Sequence, residues 1–141
     1  MTRQETEQTR EDIKDKARGW WVGIWIGVGF QANHETWKFD VTNGGQCEYL
    51  KYNESGHFIS HRDAFLEDFG KEIRKLTVVL FLNNDYEGGK FYVGYENKRV
   101  YPKQDPGDVV VFPSFLVHGV EPIIKGTRRS IVTWIHGPYL K

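Results

Sequence analysis

The chain has 141 residues, and its 19 lysines and arginines are balanced by 19 aspartates and glutamates. That length is one domain's worth, and the formal net charge of +0 excludes a strongly basic nucleic-acid clamp or a polybasic membrane binder, though not a local patch. Hydrophobic residues at 39% and charged residues at 27% exclude both a disordered tail and a membrane-embedded chain, while 15% aromatics and 15 glycines point to sheet with tight turns.

Residues 1–18 form a polar segment with no apolar stretch of the signal-peptide kind. Thr9 and Asp12 read as a capping box, Ile13, Ala17 and Trp20 or Trp21 share one helical stripe, and Gly19 could end it, so one short helix is expected there. Residues 19–141 read as a single β-rich domain. From Trp20 to Phe30 the period is two: Trp20, Val22, Ile24, Ile26, Val28 and Phe30 share a face, and glycines crowd the other. This run is about half the length of a membrane-crossing helix. The single cysteine, Cys47, excludes an internal disulfide and sits in a strand-like run as a small buried hydrophobe. The expected location is therefore the reducing cytoplasm.

Asn43-Gly44-Gly45 is a turn signal between the runs Trp37 to Val41 and Gln46 to Asn53. Asp63 to Arg74 reads as helical or irregular, and Leu76 to Asn83 as a strand. After a turn at Asn84 to Gly89 come short strands at Phe91 to Tyr95, Arg99 to Tyr101, Val109 to Phe112, His118 to Ile123 and Ser130 to Ile135. Many short strands with Gly, Pro and Asp between them argue for an all-β barrel or double-sheet jelly roll.

Five histidines are present, and one has an evident partner. His61-Arg62-Asp63 places an imidazole and a carboxylate on one face of extended backbone, two ligands from one strand end. A plain hydrogen-bonded pair is the simpler reading of that triplet. His118, opening a later strand after Val109 to Phe112 and Pro113, could complete two histidines and one carboxylate on a face of an octahedral ion, the arrangement of non-haem Fe(II) oxygenases. Alternation along the last strand puts Arg128, Ser130, Val132 and Trp134 on one side. An arginine facing an apolar interior needs an anion, either a protein carboxylate or a ligand.

His61-x-Asp63, His118 and Arg128 together resemble the Fe(II)/2-oxoglutarate dioxygenases, and within them the prolyl 4-hydroxylase type. Tyr52, Gly56 and Phe58 before the triplet, Tyr86-Glu87-Gly88-Gly89, Pro106-Gly107-Asp108, Phe112-Pro113-Ser114, and Pro122, Gly126, Ser130 and Trp134 extend the match across about Tyr49 to Pro138. The resemblance implies a double-stranded β-helix holding iron at His61, Asp63 and His118. It implies that Arg128, helped by Ser130, binds the distal carboxylate of 2-oxoglutarate, that Tyr52 is a cosubstrate-pocket tyrosine, and that Thr77, Val79, Phe91, Val120 and Trp134 line the pocket. Phe81 stands where some relatives place a tyrosine, so Ser130 or Thr77 would have to donate to the cosubstrate instead.

The implied activity is hydroxylation of an unactivated carbon with release of succinate and CO2. The implied cofactors are Fe(II), 2-oxoglutarate and dioxygen, with ascorbate as an allowed reductant. The first substrate reading is a peptidyl proline in a peptide or protein. A free amino acid or other small molecule is the alternative. Nucleic acid is disfavoured, because Trp134 stands where that branch shows a second arginine. A reading of another class is a non-catalytic jelly-roll ligand-binding module. No membrane partner is implied, and the oligomeric state is open. His57, four residues before His61 in a non-helical stretch, reads as a loop residue rather than a fourth ligand.

Overall fold

The structure, a computed structural model, describes residues 8–12, 28–44, 47–64 and 72–138. Two antiparallel sheets carry the architecture. The larger has the order β1 (Gln8–Asp12), β3 (Glu48–Tyr52), β12 (Arg128–Pro138), β5 (Glu72–Phe81) and β9 (Val109–Pro113), with β2 (Asn43–Gly44) also pairing β12. The smaller has the order β4 (Phe58–His61), β10 (His118–Val120), β7 (Phe91–Tyr95) and β8 (Lys98–Val100). A two-stranded ribbon joins β11 (Ile123–Lys125) to β6 (Glu87–Gly88). The strand order is the crossed-over order of a jelly roll, as the punctuation of short strands predicts.

β5 explains why the fold needs a second layer. Its buried residues alternate between faces: Thr77, Val79 and Phe81 on one side, Leu76 and Val78 on the other. The first set joins Tyr52, Phe91, Phe112, Val120, Ile123, Val132 and Trp134 in a core between the sheets. The second set joins Cys47 and Ile135 in a separate cluster, covered by Phe30, Trp37, Phe39 and Val41. Cys47 is fully buried there, as its strand-like setting predicts.

That cover differs from the sequence reading. Residues 28–35 are an α-helix, α1, so the period-two reading of Trp20 to Phe30 does not hold for its last three residues, and residues 20–27 lie outside the described residues. The reason is packing on the sheet. Gly29 rests against Ile135 and Val78, where a Cβ would meet their side chains at 2.7 and 2.8 Å. Asn33, buried four residues on, closes the helix by accepting from the Phe39 N–H and donating to its carbonyl, both at 2.9 Å. Residues 38–42 are irregular rather than a strand: Trp37, Phe39 and Val41 supply apolar cover without a pairing partner. Asn43 and Gly44, expected in a turn, instead pair with His136 and Ile135 of β12.

The expected helix after Thr9 is also overridden, because residues 8–12 form β1 and pair in register with β3 from Gln8↔Tyr52 to Asp12↔Glu48. Sheet pairing satisfies the same backbone groups that a cap would have served. Residues 13–19, and with them the rest of that helix and the proposed boundary at residue 18, lie outside the described residues. β5 begins at Glu72, inside the stretch expected to be irregular, and the run from His118 divides into β10 and β11. Among the described residues no helix is long and apolar enough to cross a membrane.

The outer layer can be tested at Gly137. A Cβ there would lie 2.1 Å from the Asp40 carbonyl oxygen, a backbone atom that cannot turn aside. Gly137→Ala is expected to destabilise the protein by about 1–3 kcal/mol. Urea unfolding reads this as a lower midpoint, and an unchanged midpoint would show that the 38–42 segment does not pack there.

Candidate metal centre and adjoining cavity

His61 ends β4 and His118 begins β10, and the two strands pair antiparallel with these residues directly opposite. Opposed residues in an antiparallel pair share a face, so both imidazoles point between the sheets. The pairing slips between His118 and Val120, where the partner moves three residues from His61 to Phe58. Such a bulge re-aims the strand end. Asp63, two residues beyond His61, is held by its own N–H donating to the Ser114 carbonyl at 2.9 Å, in the turn that leads to β10.

The side chains converge. His61 Nε2 lies 3.2 Å from Asp63 Oδ1, and His118 Nε2 lies 3.2 Å from Asp63 Oδ2. Ligating atoms of all three lie within 4.8 Å of one another. Each ring nitrogen facing away is occupied: His61 Nδ1 donates to the Ile59 carbonyl at 2.9 Å, and His118 Nδ1 to the Leu116 carbonyl at 3.0 Å. With Nδ1 held by a carbonyl, Nε2 is the ring nitrogen that each histidine turns to Asp63. Aromatic rings hold the imidazoles in place. Phe58 stacks on His61 at 3.8 Å, and Phe112 meets His118 edge-on at 4.7 Å.

Asp63 also accepts from Thr77 Oγ1 at 2.8 Å and from the Trp134 indole N–H at 3.0 Å. Burial pushes its carboxyl up. The hydrogen bonds to His118 and His61, the His118 charge and the Trp134 N–H outweigh burial and hold it far below the usual carboxylate range. The cluster thus offers two imidazole nitrogens and one anionic oxygen. That set suits Fe(II) on one octahedral face better than a closed tetrahedral zinc.

A cavity of about 240 Å³ adjoins the cluster. Its lining includes His61, Asp63, His118, Tyr52, Arg128 and Ser130. The alternation read from β12 holds, because Arg128, Ser130, Val132 and Trp134 all line it. Arg128 is 2% exposed. Its Nη1 donates to Ser130 Oγ at 3.2 Å, and its Nε has no partner among the described residues. The Tyr52 and Phe81 rings lie 5.7 and 5.6 Å from the guanidinium carbon. Burial lowers the Arg128 guanidinium from its ordinary value, and Tyr86 and Tyr52 offset only part of that. Among the described residues no carboxylate forms an ion pair with it. Of the two partners the sequence left open, a protein carboxylate is thus not found, and a ligand anion fits.

Tyr52, Thr77, Val79, Phe91, Val120 and Trp134 all line the cavity. The Thr77 hydroxyl is turned to Asp63 and Ser114, however, at 2.8 and 2.9 Å, so it is not a free donor for a cavity ligand. His57 bonds the Ser55 carbonyl through Nδ1 and stands outside the cluster. Three contributions were not legible in the sequence. Ser114 is fully buried beneath Thr77. Arg74 lies over the Trp134 ring at 3.7 Å and reaches the cavity. Arg62 donates to the Phe115 carbonyl at 2.9 Å and straps the His-x-Asp segment to the turn before β10. Sheet register brings Ser114 and Arg74 near the site, and the fold brings Phe115 to Arg62.

The comparisons with known proteins agree with this geometry. The profile of the 2OG-Fe(II) oxygenase superfamily matches residues 47–136. A PKHD-type hydroxylase of Crocosphaera subtropica is 31% identical over 91 residues, covering 62% of this chain and 41% of that protein. The matched part thus amounts to about two fifths of the curated relatives' length. Among solved structures, a Pseudomonas putida prolyl-4-hydroxylase superposes with TM-score 0.73 at 20% identity, covering 94% of this chain and 72% of that one. A Trichoplax adhaerens prolyl hydroxylase, in complex with a hypoxia inducible factor oxygen degradation domain peptide fragment, gives TM-score 0.56 at 24% identity over 67% of this chain and 44% of that one. At such identities the superpositions speak for the shared double-stranded β-helix alone. With the profile spanning the His-x-Asp strand end, the second histidine and the buried arginine, the chain belongs to the 2OG-Fe(II) oxygenase superfamily.

Proposed function

We propose that this domain is a 2-oxoglutarate-dependent dioxygenase that hydroxylates an unactivated carbon of its substrate. The observation that carries the reading is Arg128, a buried guanidinium with no carboxylate partner among the described residues, in the same cavity as the His61, Asp63 and His118 cluster. A buried cation of this kind costs stability unless an anion meets it. A dicarboxylate with one end at Arg128 and the other toward the cluster answers both requirements. A ligand-binding module would have no use for three converging metal ligands beside the arginine.

His61, Asp63 and His118 would hold Fe(II), with Asp63 supplying the single negative charge. The chemistry supplied by the bound metal is activation of dioxygen, coupling decarboxylation of 2-oxoglutarate to succinate and CO2 with hydroxylation of the substrate. Arg128 grips the distal carboxylate, and Ser130, already bonded to it, helps hold the fork in place. Tyr52 and Phe81 wall that end and exclude water, which strengthens the ion pair. Phe81 offers no hydroxyl, and Thr77 is committed to Asp63, so Ser130 is the side-chain hydroxyl best placed to add a bond. Tyr86, half-buried beside the guanidinium, is a second source of one. No protein general base is needed.

A peptide or protein substrate, with proline as the hydroxylated residue, is our reading of the substrate class. It rests on the names of the PKHD-type and prolyl hydroxylase relatives, one of them bound to a peptide. A free amino acid or other small molecule is the competing outcome. Ascorbate would serve as a reductant that keeps the iron ferrous.

Succinate production tests the reading. Protein loaded anaerobically with Fe(II) and 2-oxoglutarate, then exposed to air, should release succinate, faster with proline-containing peptides. Stimulation by free proline but not by peptide would move the substrate to the small-molecule class, and absence of succinate would overturn the oxygenase reading. His61→Ala and Asp63→Ala are expected to abolish turnover while circular dichroism reports an intact sheet.

Arg128→Met gives an independent check. In the ligand-free protein it is expected to raise stability by about 1 kcal/mol, since it removes a buried unpaired charge. It should also raise the 2-oxoglutarate requirement by about tenfold or more, the worth of a charge-assisted hydrogen bond. Urea unfolding and a 2-oxoglutarate titration read the two effects. An unchanged requirement would place the anion elsewhere.

A further inference from the structure

Strict alternation along β5 would put Arg74 with Leu76 and Val78, on the face away from the cavity. The pairing with β12 breaks that count. Ile135 lies opposite Leu76 and His136 opposite Arg74, so Lys75 is an extra residue on β5. A bulge of this kind turns the side chains beyond it to the other face. Lys75 stays on the outer side with Leu76, its ammonium 6.0 Å from the Phe39 ring centroid, and Arg74 is delivered to the cavity. There its guanidinium carbon lies 3.7 Å from the Trp134 ring centroid, and the Trp134 indole N–H is bonded to Asp63. The stack fixes the guanidinium relative to the metal cluster and keeps its N–H edge for other partners.

Arg62 reaches the same cavity from the His-x-Asp segment. Its Nε is used on the Phe115 carbonyl, and its Nη groups make no hydrogen bond among the described residues. Neither arginine is ion-paired to a carboxylate among the described residues. Glu72, two residues before Arg74 on β5, is turned to the Thr42 hydroxyl at 2.6 Å. Asp63 is the one acidic group among the described lining residues, and it is held by the two histidines.

We infer that Arg74 and Arg62 form an anion subsite beside the metal cluster, and that the substrate carries a carboxylate close to the carbon that is hydroxylated. The inference rests on the metal and 2-oxoglutarate reading of the preceding subsection and adds to it the charge of the substrate. The positive charges of Fe(II) and Arg128 are balanced by Asp63 and the 2-oxoglutarate dianion, so the loaded site is neutral before Arg62 and Arg74 are counted. Two guanidinium charges are then left facing a cavity with no acidic group to meet them. A carboxylate is the anion whose geometry matches the guanidinium fork. Arg74, half-buried over Trp134, is the stronger determinant, and Arg62, exposed at the rim, adds to the field that draws the anion in. The carboxylate can come from an acidic residue beside the target residue of a peptide, or from the α-carboxylate of a free amino acid.

Binding tests this without turnover. The whole protein is loaded with Mn(II) and 2-oxoglutarate under argon, and two blocked tripeptides are titrated in by calorimetry, one with proline flanked by aspartates and one with proline flanked by asparagines. The aspartate peptide should bind about tenfold tighter or more. Arg74→Gln should remove most of that difference, with a much smaller effect on the asparagine peptide. A merely structural role for Arg74 would weaken both peptides alike and would overturn the assignment. Free proline against prolinamide tests the second source of the carboxylate. A preference for proline that Arg74→Gln removes would assign the subsite to an α-carboxylate. Equal or absent binding within both pairs, or a preference that survives Arg74→Gln combined with Arg62→Gln, would overturn the inference and leave the oxygenase reading standing. Failure of the wild-type protein to bind Mn(II) or 2-oxoglutarate would overturn that reading and this inference together.

Discussion

A buried carboxylate must be matched group by group or it will protonate. Asp63 is matched by two imidazole nitrogens, a threonine hydroxyl and an indole N–H, drawn from both sheets. This satisfies the acid and also ties the sheets together at one end of the sandwich. β4 and β10 bring the histidines from the smaller sheet, and β5 and β12 bring the threonine and the tryptophan from the larger. The sandwich cannot shear at this end without leaving a charge unpaired in the interior. The geometry that brings the three candidate metal ligands together and the geometry that satisfies Asp63 are the same.

The opposite requirement holds at Arg128. Its guanidinium is surrounded by Tyr52 and Phe81 and has no partner at Nε among the described residues. A fold selected for stability alone would have an apolar residue here. Keeping an arginine costs the ligand-free protein stability, a cost that a carboxylate ligand of the proposed kind would return as binding energy. The strand that carries it, β12, pairs with β3 from Arg128 to Val132 and with β5 from Ser130 to Pro138, so the charge stands at the start of the strand with Tyr52 as its register partner.

Much of this site was legible in local pattern. Strand alternation is a property of neighbouring residues, so the inward set Arg128, Ser130, Val132 and Trp134 could be read directly, and so could the pairing of His61 with Asp63. Elements whose state depends on distant partners were not. Residues 8–12 carry a helix-start signal, yet they lie beside β3 and become a strand. Val28, Gly29 and Phe30 continue a strand-like alternation, yet they open a helix because Ile135 and Val78 leave a groove that only a glycine can approach closely. Thr77 reads as a cavity residue by position, and it does line the cavity, but its single proton goes to Asp63.

The sequence by itself determined that His61, Asp63, His118 and Arg128 belong to one candidate site, because ligand chemistry and the two-residue period are carried by residue type and short spacing. It also determined that the fold is a β-sandwich of short strands, through its turns and aromatic runs. Tertiary structure alone decided that Thr77 and Trp134 donate to the same oxygen of Asp63, which hydroxyl stands behind Thr77, and that Arg74 lies over Trp134. Those contacts join residues up to 71 positions apart, through hydrogen bonds whose direction is set by sheet register and by the number of protons available.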